Sequence, residues 1–175
     1  MNPDIQSVFI RLAAGDINAL DEIYTLFSLR VFNYVRTIVK NKQTAEDITH
    51  DVFLRVLGAA KRLANMQNPP GYVMTIARNL AYDEVRKNKF SNVPLGEMRD
   101  MTTELMYEEE LPDALSALTP VQRETIYLHY ICGFTQKEVA RIMRVPLVTV
   151  KWRCKKAKQN LHNYFNEGGK IHETI

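Results

Sequence analysis

The chain has 175 residues and a formal net charge of +3, from 23 basic and 20 acidic side chains. Hydrophobic residues make up 46% of it, a proportion that favours a folded globular protein over a disordered one. It contains no 18-residue apolar run, and its N-terminal sequence MNPDIQS lacks the basic and apolar regions of a signal peptide. We therefore expect one domain or two small ones in the cytoplasm, without membrane insertion.

The charge is distributed unevenly along the chain. Residues 1–90 carry 12 basic and 9 acidic groups, residues 91–112 carry 1 and 6, and residues 113–167 carry 9 and 4. Two basic blocks therefore flank an acidic one. This asymmetry predicts nucleic-acid binding by both ends and a different role for the middle.

Two amphipathic helices are predicted first. The shorter contains Ile5, Val8, Phe9 and Leu12 and ends at Gly15, and Asp16 is a candidate N-cap for the next. The second helix is long and extends to about Lys40. Its apolar stripe has the spacing of one helical face, which predicts a core element: Leu20, Tyr24, Phe27, Val31, Tyr34 and Ile38.

A third helix is predicted from Thr44 to about Lys61. The run from Val52 to Leu57 is apolar around most of the helix circumference, more than one core-facing stripe requires. Polar residues spaced four apart line one edge beside Leu54: Asp47, Asp51 and Arg55. The pattern leaves two interpretations open, a helix at the centre of its own bundle or a helix with one face on another protein.

A loop, LANMQNPPG, precedes a fourth helix. Val73, Ile76, Ala77 and Leu80 form its predicted buried side. A second face combines cations, aromatic rings and an amide: Tyr72, Arg78, Asn79, Tyr82, Asp83, Arg86, Lys87, Lys89 and Phe90. Such a face can neutralise phosphates and stack unpaired bases, although tyrosines at a core edge beside solvated charges would give the same pattern.

Residues 91–112 have no clear periodicity and end in three consecutive glutamates and Leu-Pro. A structureless connection of that length is unusual within one compact domain, so it predicts an acidic linker between an N-terminal domain, residues 1–90, and a C-terminal domain, residues 113–167. We expect residues 168–175 to form a disordered tail. The predicted fold class is all-α.

The second domain is predicted to begin with a helix whose N-cap is Thr119, with Pro120 in its first turn and Gln122 completing a capping box. This helix continues to about Cys132 and ends at Gly133. A capping box between Thr135 and Glu138 then starts another helix.

That next helix buries Val139, Ile142 and Met143, and Pro146 cannot continue it. The following helix has one apolar stripe: Val150, Cys154, Ala157 and Leu161. From Arg141 to Lys158 there are seven basic residues and no acidic one. A short basic helix held against another by a tight turn is typical of a helix-turn-helix that reads the DNA major groove.

No catalytic, metal-binding or cofactor-binding constellation is indicated. The four histidines are scattered, and His50 and Asp51 are adjacent, so their side chains point in different helical directions. Cys132 and Cys154 form no CxxC motif, and both are expected in the core. A metal-dependent nuclease that uses Glu46, Asp47 and Asp51 is a remote alternative. No small-molecule substrate is indicated.

The order of these elements resembles the extracytoplasmic-function group of bacterial sigma factors, the small two-domain initiation subunits of RNA polymerase. Four stretches carry the resemblance: TAEDITHDVFLRVL, PPGYVMTIARNLAYDEVRKNK, ALSALTPVQRETIYLHYICGFTQKEVARIM and VTVKWRCKKAKQNL. They resemble, in order, the family's polymerase-binding helix, its minus-10 helix, the start of its second promoter-binding domain and its minus-35 recognition helix.

The resemblance implies partners and a role for each surface. The third helix would bind the coiled coil of the polymerase beta-prime subunit through Asp47, Asp51, Leu54 and Arg55. The first domain, sigma region 2 with four helices, would open and read the minus-10 element through its loop, Asn65 to Gly71, and its fourth helix. The residues implied there are Asn65, Asn68, Tyr72, Arg78, Asn79, Asp83, Arg86 and Lys87.

The second domain, sigma region 4, would lie near the polymerase beta flap and read minus-35 duplex. The residues implied there are Thr135, Thr149, Lys151, Trp152, Arg153, Lys155 and Lys156. The linker would thread the RNA path of the polymerase. The family also implies an anti-sigma factor, which can hold the protein at the membrane until a signal releases it to the nucleoid.

The chain departs from the family pattern at four positions. Tyr72 stands where a tryptophan is usual and Arg144 where a turn glycine is common. Pro146 replaces a common capping serine, and Trp152 replaces a small or polar residue, where it would contact a thymine methyl group or pack on a partner. The rival function is a stand-alone helix-turn-helix repressor with a helical sensing or dimerising N-terminal half, which leaves the acidic linker and the fourth-helix face without a role.

Overall fold

A computed structural model of the chain describes residues 3–39, 41–90 and 114–166. Every regular element in these residues is a helix, as predicted. The chain divides into two compact units, the first containing the five N-terminal helices and the second most of the helix-turn-helix. The predicted linker, residues 91–112, and the predicted tail, residues 168–175, lie outside the described residues.

The first unit contains four long helices and one short one. These are α1 (Pro3–Ala13), α2 (Asn18–Val39), α3 (Lys42–Gly58), α4 (Ala60–Ala64) and α5 (Pro69–Phe90). Helix α2 packs against α1, α3 and α5, while α3 also packs on α5 and α1 on α4. The largest fully buried side chains come from all five helices and include Phe9, Ile23, Tyr34, Val52, Leu63 and Met74.

Helix α2 buries Phe27, Val31 and Tyr34 of the predicted stripe, but its buried line starts one residue earlier than predicted. Ile23 and Val35 are fully buried, whereas Tyr24 is 47% exposed. Its ring lies at the surface against Phe53 of α3, with 4.7 Å between the ring centroids. A stripe that includes Ile23 and one that includes Tyr24 both satisfy helical periodicity. Packing against α1, α3 and α5 buries the stripe with Ile23.

Helix α3 begins two residues before the predicted Thr44. Asn41 is its N-cap, because the Asn41 side chain accepts a hydrogen bond from the Thr44 amide at 2.9 Å. The helix also ends earlier than predicted, at Gly58, and α4 follows as a separate turn. The predicted boundaries at Thr44 and Lys61 were therefore wrong at both ends.

Helix α5 begins at Pro69, inside the segment that the sequence predicts as a loop to Gly71. Proline is tolerated in a first helical turn because the amide it lacks has no intrahelical partner there. The Asn68 side-chain oxygen accepts a hydrogen bond from the Gly71 amide at 2.9 Å and caps the helix. A Cβ atom at position 71 would lie 2.8 Å from the Asn68 amide nitrogen, so the cap requires glycine there.

An ion cluster fastens the junction between α1 and α2. Gly15 has a φ of 95°, and Asp16 accepts a hydrogen bond from the Asn18 amide at 3.1 Å, the capping contact that the sequence predicts. Arg11 lies 2.6 Å from Asp16 and 2.8 Å from Glu22. The hydrogen bond from Arg11 holds the pKa of the Asp16 carboxyl below its ordinary value.

In the described residues of the second unit, three α-helices follow Thr119 and pack around one small core. These are α6 (Pro120–Ile126), α7 (Gln136–Met143) and α8 (Leu147–Asn166). Helix α6 packs on α8, where Leu118, Ile126 and Ala157 are buried together. The predicted capping box at the start of α6 is present, with the Thr119 amide donating to Gln122 at 3.0 Å.

A π-helical turn, Tyr127–Ile131, continues α6 where the sequence predicts α-helix to Cys132. The Cys132 amide donates to the Tyr127 carbonyl at 2.9 Å, five residues back. Gly133, with a φ of 77°, then ends the helix as predicted. Cys154 is buried, but Cys132 is only partly buried. Its predicted core position was wrong, because it is the C-cap residue after the π turn.

Candidate nucleic-acid interface

The turn of the helix-turn-helix is fixed by backbone hydrogen bonds. The predicted capping box of α7 is present: the Thr135 amide donates to the Glu138 carboxylate at 2.8 Å, and the Glu138 amide donates to the Thr135 hydroxyl at 3.3 Å. At the other end, the Val145 amide donates to the Ala140 carbonyl at 3.0 Å, the six-to-one bond of a Schellman motif. Val139, Ile142 and Met143 are buried, as predicted.

Arg144 is the left-handed residue of this turn, with a φ of 54°. It is the one non-glycine residue with positive φ in the described ranges. A side chain in this conformation costs on the order of 1 kcal/mol relative to glycine. The turn therefore holds an arginine in the left-handed conformation that glycine adopts without this cost.

Helix α8 starts without a side-chain cap. The carbonyl of Pro146 accepts hydrogen bonds from the amides of Thr149 at 3.0 Å and Val150 at 3.3 Å. Proline offers no hydroxyl, so the sequence-based expectation of a missing cap holds. Val150, Cys154 and Ala157 are buried, and this predicted stripe fixes which side of α8 faces away from the unit.

The outer face of α8 carries the basic residues. Lys151, Trp152, Lys155 and Lys156 are exposed, whereas Thr149 and Arg153 are half-buried at its edges. From residue 139 to residue 166 there is no acidic side chain. The face is therefore cationic along its described length and suited to a polyanion.

Lys158 is the cation of this helix that is committed to its own domain. Its ammonium group lies 5.2 Å from the centroid of the Tyr130 ring, and the hydrogen bond to Tyr130 raises the pKa of Lys158. Beneath it, burial raises the pKa of the Cys154 thiol. A thiol held protonated is a poor nucleophile, which supports a structural role for Cys154.

In the first unit, the predicted protein-binding residues share one accessible face of α3. Asp47, Asp51, Leu54 and Arg55 are all exposed, and Leu54 is 54% accessible. The opposite side of the helix buries Val52, Phe53 and Val56. Helix α3 is therefore not buried all round, and its outer face combines two carboxylates with an uncovered leucine.

The predicted minus-10 residues lie on α5 and on the short loop before it. Asn65 is exposed, and its side-chain amide donates to the Lys61 carbonyl at 2.8 Å, ending α4. The half-buried Asn68 caps α5. The half-buried Tyr72 follows, and the guanidinium of Arg62 lies 4.9 Å from the centroid of its ring. One face of this ring is thus occupied by a cation from α4.

Further along α5, cations and acids alternate. Arg78 lies 4.5 Å from the centroid of the Tyr82 ring. Arg86 is paired with Asp83, and Lys87 lies 3.7 Å from Glu84. Arg78 and Asn79 are half-buried, as is Asp83, whereas Arg86 and Lys87 are exposed. The structure places all eight predicted residues along one continuous stretch, residues 65–87.

Sequence reasoning missed two residues of these surfaces. Arg62 stands outside the predicted loop, and its contact with Tyr72 depends on α4 packing beside α5. Val148 is 71% exposed, and its spacing of four from Trp152 was the signal that could have identified it.

Residues 3–39, 41–90 and 114–166 contain neither a metal-binding cluster nor a helix able to cross a membrane. These ranges bring no three His, Cys, Asp or Glu side chains together in a group able to hold a metal ion, and Glu46, Asp47 and Asp51 form no such group. None of the helices in the same ranges has both the length and the apolar character needed to cross a bilayer.

Comparison with known proteins identifies both units. A family profile for Sigma-70 region 2 matches residues 23–91, and one for Sigma-70, region 4 matches residues 108–161. The ECF RNA polymerase sigma factor BldN of Streptomyces coelicolor is 32% identical over 76% of this chain and 55% of its own length. The ECF RNA polymerase sigma factor SigK of Mycobacterium tuberculosis (strain H37Rv) is 26% identical over 93% of this chain and 94% of its own.

Solved structures show the same fold at lower identity. The sigma factor RpoE of Bartonella quintana, in complex with the anti-sigma factor NepR, has a TM-score of 0.68 and 20% identity over 87% of this chain and 99% of that one. CnrH, in complex with the cytosolic domain of CnrY, has a TM-score of 0.66 and 16% identity over 93% and 97%. Because both profiles are sigma-70 regions and the sequence relatives are ECF sigma factors, the chain belongs to the extracytoplasmic-function group of the sigma-70 family.

Proposed function

We propose that this chain is a specificity subunit that binds core RNA polymerase, directs it to promoters with two elements and helps to separate the DNA strands. The observation that carries this proposal is the presence of two different outer faces in one sigma-family chain. The face of α3 mixes two carboxylates and Arg55 around an exposed leucine, whereas that of α8 is basic without any acid. Catalysis and magnesium belong to the core enzyme.

The polymerase-binding surface is the outer face of α3. Asp47 and Asp51 are one helical turn apart and exposed, with Leu54 uncovered beside them. An exposed leucine flanked by carboxylates suits a helical partner that offers apolar and basic side chains. We assign this partner as the coiled coil of the beta-prime subunit.

The minus-10 surface comprises the loop and the outer face of α5. Tyr72 and Tyr82 supply rings for stacking, while Asn68 and Asn79 supply amides for base edges. Arg86 and Lys87 are exposed for phosphate contacts. This combination of rings, amides and cations suits an unpaired strand better than a duplex.

The minus-35 surface is the start of α8. Thr149, Lys151 and Trp152 lie in its first two turns, where a recognition helix contacts base edges. Arg153, Lys155 and Lys156 follow toward the phosphates. Thr135 caps α7, which begins at Gln136, and we assign a phosphate contact to its hydroxyl, which also donates to Glu138 at 2.8 Å.

Each segment of the chain has a proposed role, and the chain has a proposed regulatory partner. We assign residues 1–90 to core binding and minus-10 opening, residues 113–167 to minus-35 reading and residues 91–112 to the linker in the RNA path. RpoE of Bartonella quintana was solved with an anti-sigma factor. We infer that a comparable partner covers this chain in the cytoplasm until a signal releases it.

The repressor alternative is not favoured. It accounts for the helix-turn-helix but gives the rings, amides and cations on the outer face of α5 no role. The region 2 profile, which matches residues 23–91, covers that same unit. A repressor also predicts a dimer on half-sites about one helical turn apart, bound tightly without polymerase.

Run-off transcription tests the proposal directly. Bacterial core polymerase, with and without the full chain, is supplied with a pool of promoter fragments from the source genome. We expect initiation at discrete start sites only when the chain is present. Absence of stimulation, together with tight binding to duplex DNA without polymerase, would support the repressor.

A further inference from the structure

Two apolar side chains stand out at the start of α8. Val148 is 71% exposed and Trp152 is 62% exposed. At about 100° per residue they lie about 160° and 200° around the helix from buried Val150, so both point away from the domain core. One turn of helix separates them, which makes them neighbours on the same face.

The surroundings of this pair are cationic. Lys151, Lys155 and Lys156 are exposed around it, and the helix carries no acidic residue up to residue 166. The cores of protein interfaces are depleted in lysine. Two apolar side chains ringed by three lysines are therefore a poor centre for a protein interface, whereas the charge is complementary to DNA.

The major groove of DNA offers one apolar group, the 5-methyl group of thymine. A valine and an indole cannot accept the hydrogen bonds of base donors, and only the indole N–H can donate one. An α-helix rises about 6 Å over four residues, and bases of one strand are spaced about 3.4 Å apart. The spacing of the pair therefore matches methyl groups on two adjacent bases or on two bases separated by one other base.

We propose that Val148 and Trp152 read thymine methyl groups in the promoter duplex and so determine thymine at one or two minus-35 positions. This inference rests on the proposed function, because it assumes that α8 enters the groove of minus-35 DNA. It adds Val148 to the reading surface and assigns Trp152 to the DNA instead of to a protein partner.

The test uses the full chain bound to core polymerase. The minus-35 sequence is first selected from a pool of promoter fragments randomised in that region. Each thymine is then replaced by deoxyuridine, which removes only the methyl group. We expect the affinity of the wild-type holoenzyme to fall about fourfold at one or two of these positions.

Variants then connect the methyl effect to the residues. Trp152→Ala and Val148→Ala should bind the thymine promoter more weakly, and each should lose sensitivity to deoxyuridine at its own position, as in a double-mutant cycle. Phe165→Ala is the matched control. It removes another exposed aromatic ring from α8, about 20 Å further along the helix, and should keep the full deoxyuridine effect.

The possible results separate this inference from the proposed function. Selection of no minus-35 sequence by the holoenzyme would overturn both. A selected sequence that tolerates deoxyuridine at every thymine would overturn the methyl contact alone. Equal deoxyuridine sensitivity in wild type and Trp152→Ala would exclude Trp152 as the reader, provided that circular dichroism shows both proteins folded.

Discussion

The outer faces of α3 and α8 are both accessible but differ in charge, because α3 mixes carboxylates with Arg55 whereas α8 has no acid. On α3, Asp47 and Asp51 border an uncovered leucine. On α8, the ionised groups are all cations. Burial identifies both as surfaces with potential partners, but only the sign and mixture of charge separate a protein contact from a DNA contact. The difference predicts a stronger dependence on salt for α8 than for α3.

The largest expected effect comes from reversing a charge on α3. Asp51→Arg places a cation where the proposed partner is basic, and like charges across an interface cost several kcal/mol, or more than 100-fold in affinity. We expect binding to core polymerase and run-off transcription to be lost while binding of the free chain to minus-35 duplex is unchanged. Fluorescence anisotropy measures the two binding reactions, and transcript yield measures the run-off reaction.

Glu46→Arg is the matched control for that reversal. Glu46 is also exposed, but it lies about 140° around α3 from Asp51. It should retain polymerase binding. Normal polymerase binding by Asp51→Arg would exclude the outer face of α3 as the polymerase-binding surface.

A change in the α5 cap should reduce promoter opening without unfolding the first unit. In Asn68→Asp the side-chain oxygen still accepts from the Gly71 amide, so stability should stay within about 0.5 kcal/mol of wild type. The added negative charge repels the DNA strand. We expect open complexes to fall about tenfold, measured by 2-aminopurine fluorescence at minus-10, with duplex binding through α8 preserved. Full opening by the variant would exclude Asn68 from the DNA surface.

Removing one lysine from α8 should weaken DNA binding uniformly across sequences. Lys156→Ala loses one phosphate contact, so the slope of log affinity against log salt should decrease by about 1. Lys158→Ala removes the same charge, but Lys158 is engaged with Tyr130, so its slope should equal that of wild type. Equal slopes in all three proteins would contradict the proposed orientation of α8.

Replacing the strained turn residue should stabilise the second unit. Arg144→Gly relieves the left-handed conformation at a φ of 54°, and the expected gain is about 1 kcal/mol in the free energy of unfolding. Urea unfolding monitored by Trp152 fluorescence measures it. A less stable variant would mean that the arginine side chain contributes more than the strain it causes.

The smallest effect is a pH dependence confined to the first unit. Because the pKa of Asp16 is lowered in the folded protein, its contribution to stability is present above its ordinary pKa of 3.8 and is lost as the pH falls through the folded-state pKa. Thermal unfolding between pH 2 and 6 should show a shallower dependence on pH for Asp16→Asn than for wild type. Identical curves would show that the Arg11 contact does not persist in solution.

Local signals made much of the fold predictable from sequence. The capping boxes at Thr119 and Thr135, and the stripe through Val150, each involve residues within one or two turns. Features that depend on packing between helices were not predictable in the same way. The buried line of α2 and the π turn at Tyr127 depend on neighbouring helices, and no short-range pattern specifies either.

The candidate sites were predictable to a similar degree. The basic face of α8 follows from a single helix, so its residues could be named from the sequence. The face of α3 could not be resolved in that way, because its sequence is apolar around most of the circumference. Burial of Val52, Phe53 and Val56 settles which side is exposed. The contact of Arg62 with Tyr72 crosses two helices and had no sequence signal.

The Asn68 cap has an evolutionary consequence. One side chain both starts α5 and lies on the surface assigned to minus-10 DNA, and it occupies the space that a Cβ atom at position 71 would need. A substitution of Asn68 that alters promoter preference therefore also alters the cap of α5, the helix that carries the other proposed minus-10 contacts. We expect position 71 to remain glycine wherever position 68 supplies this cap, whereas Lys156, which caps nothing, is free to vary with the promoter.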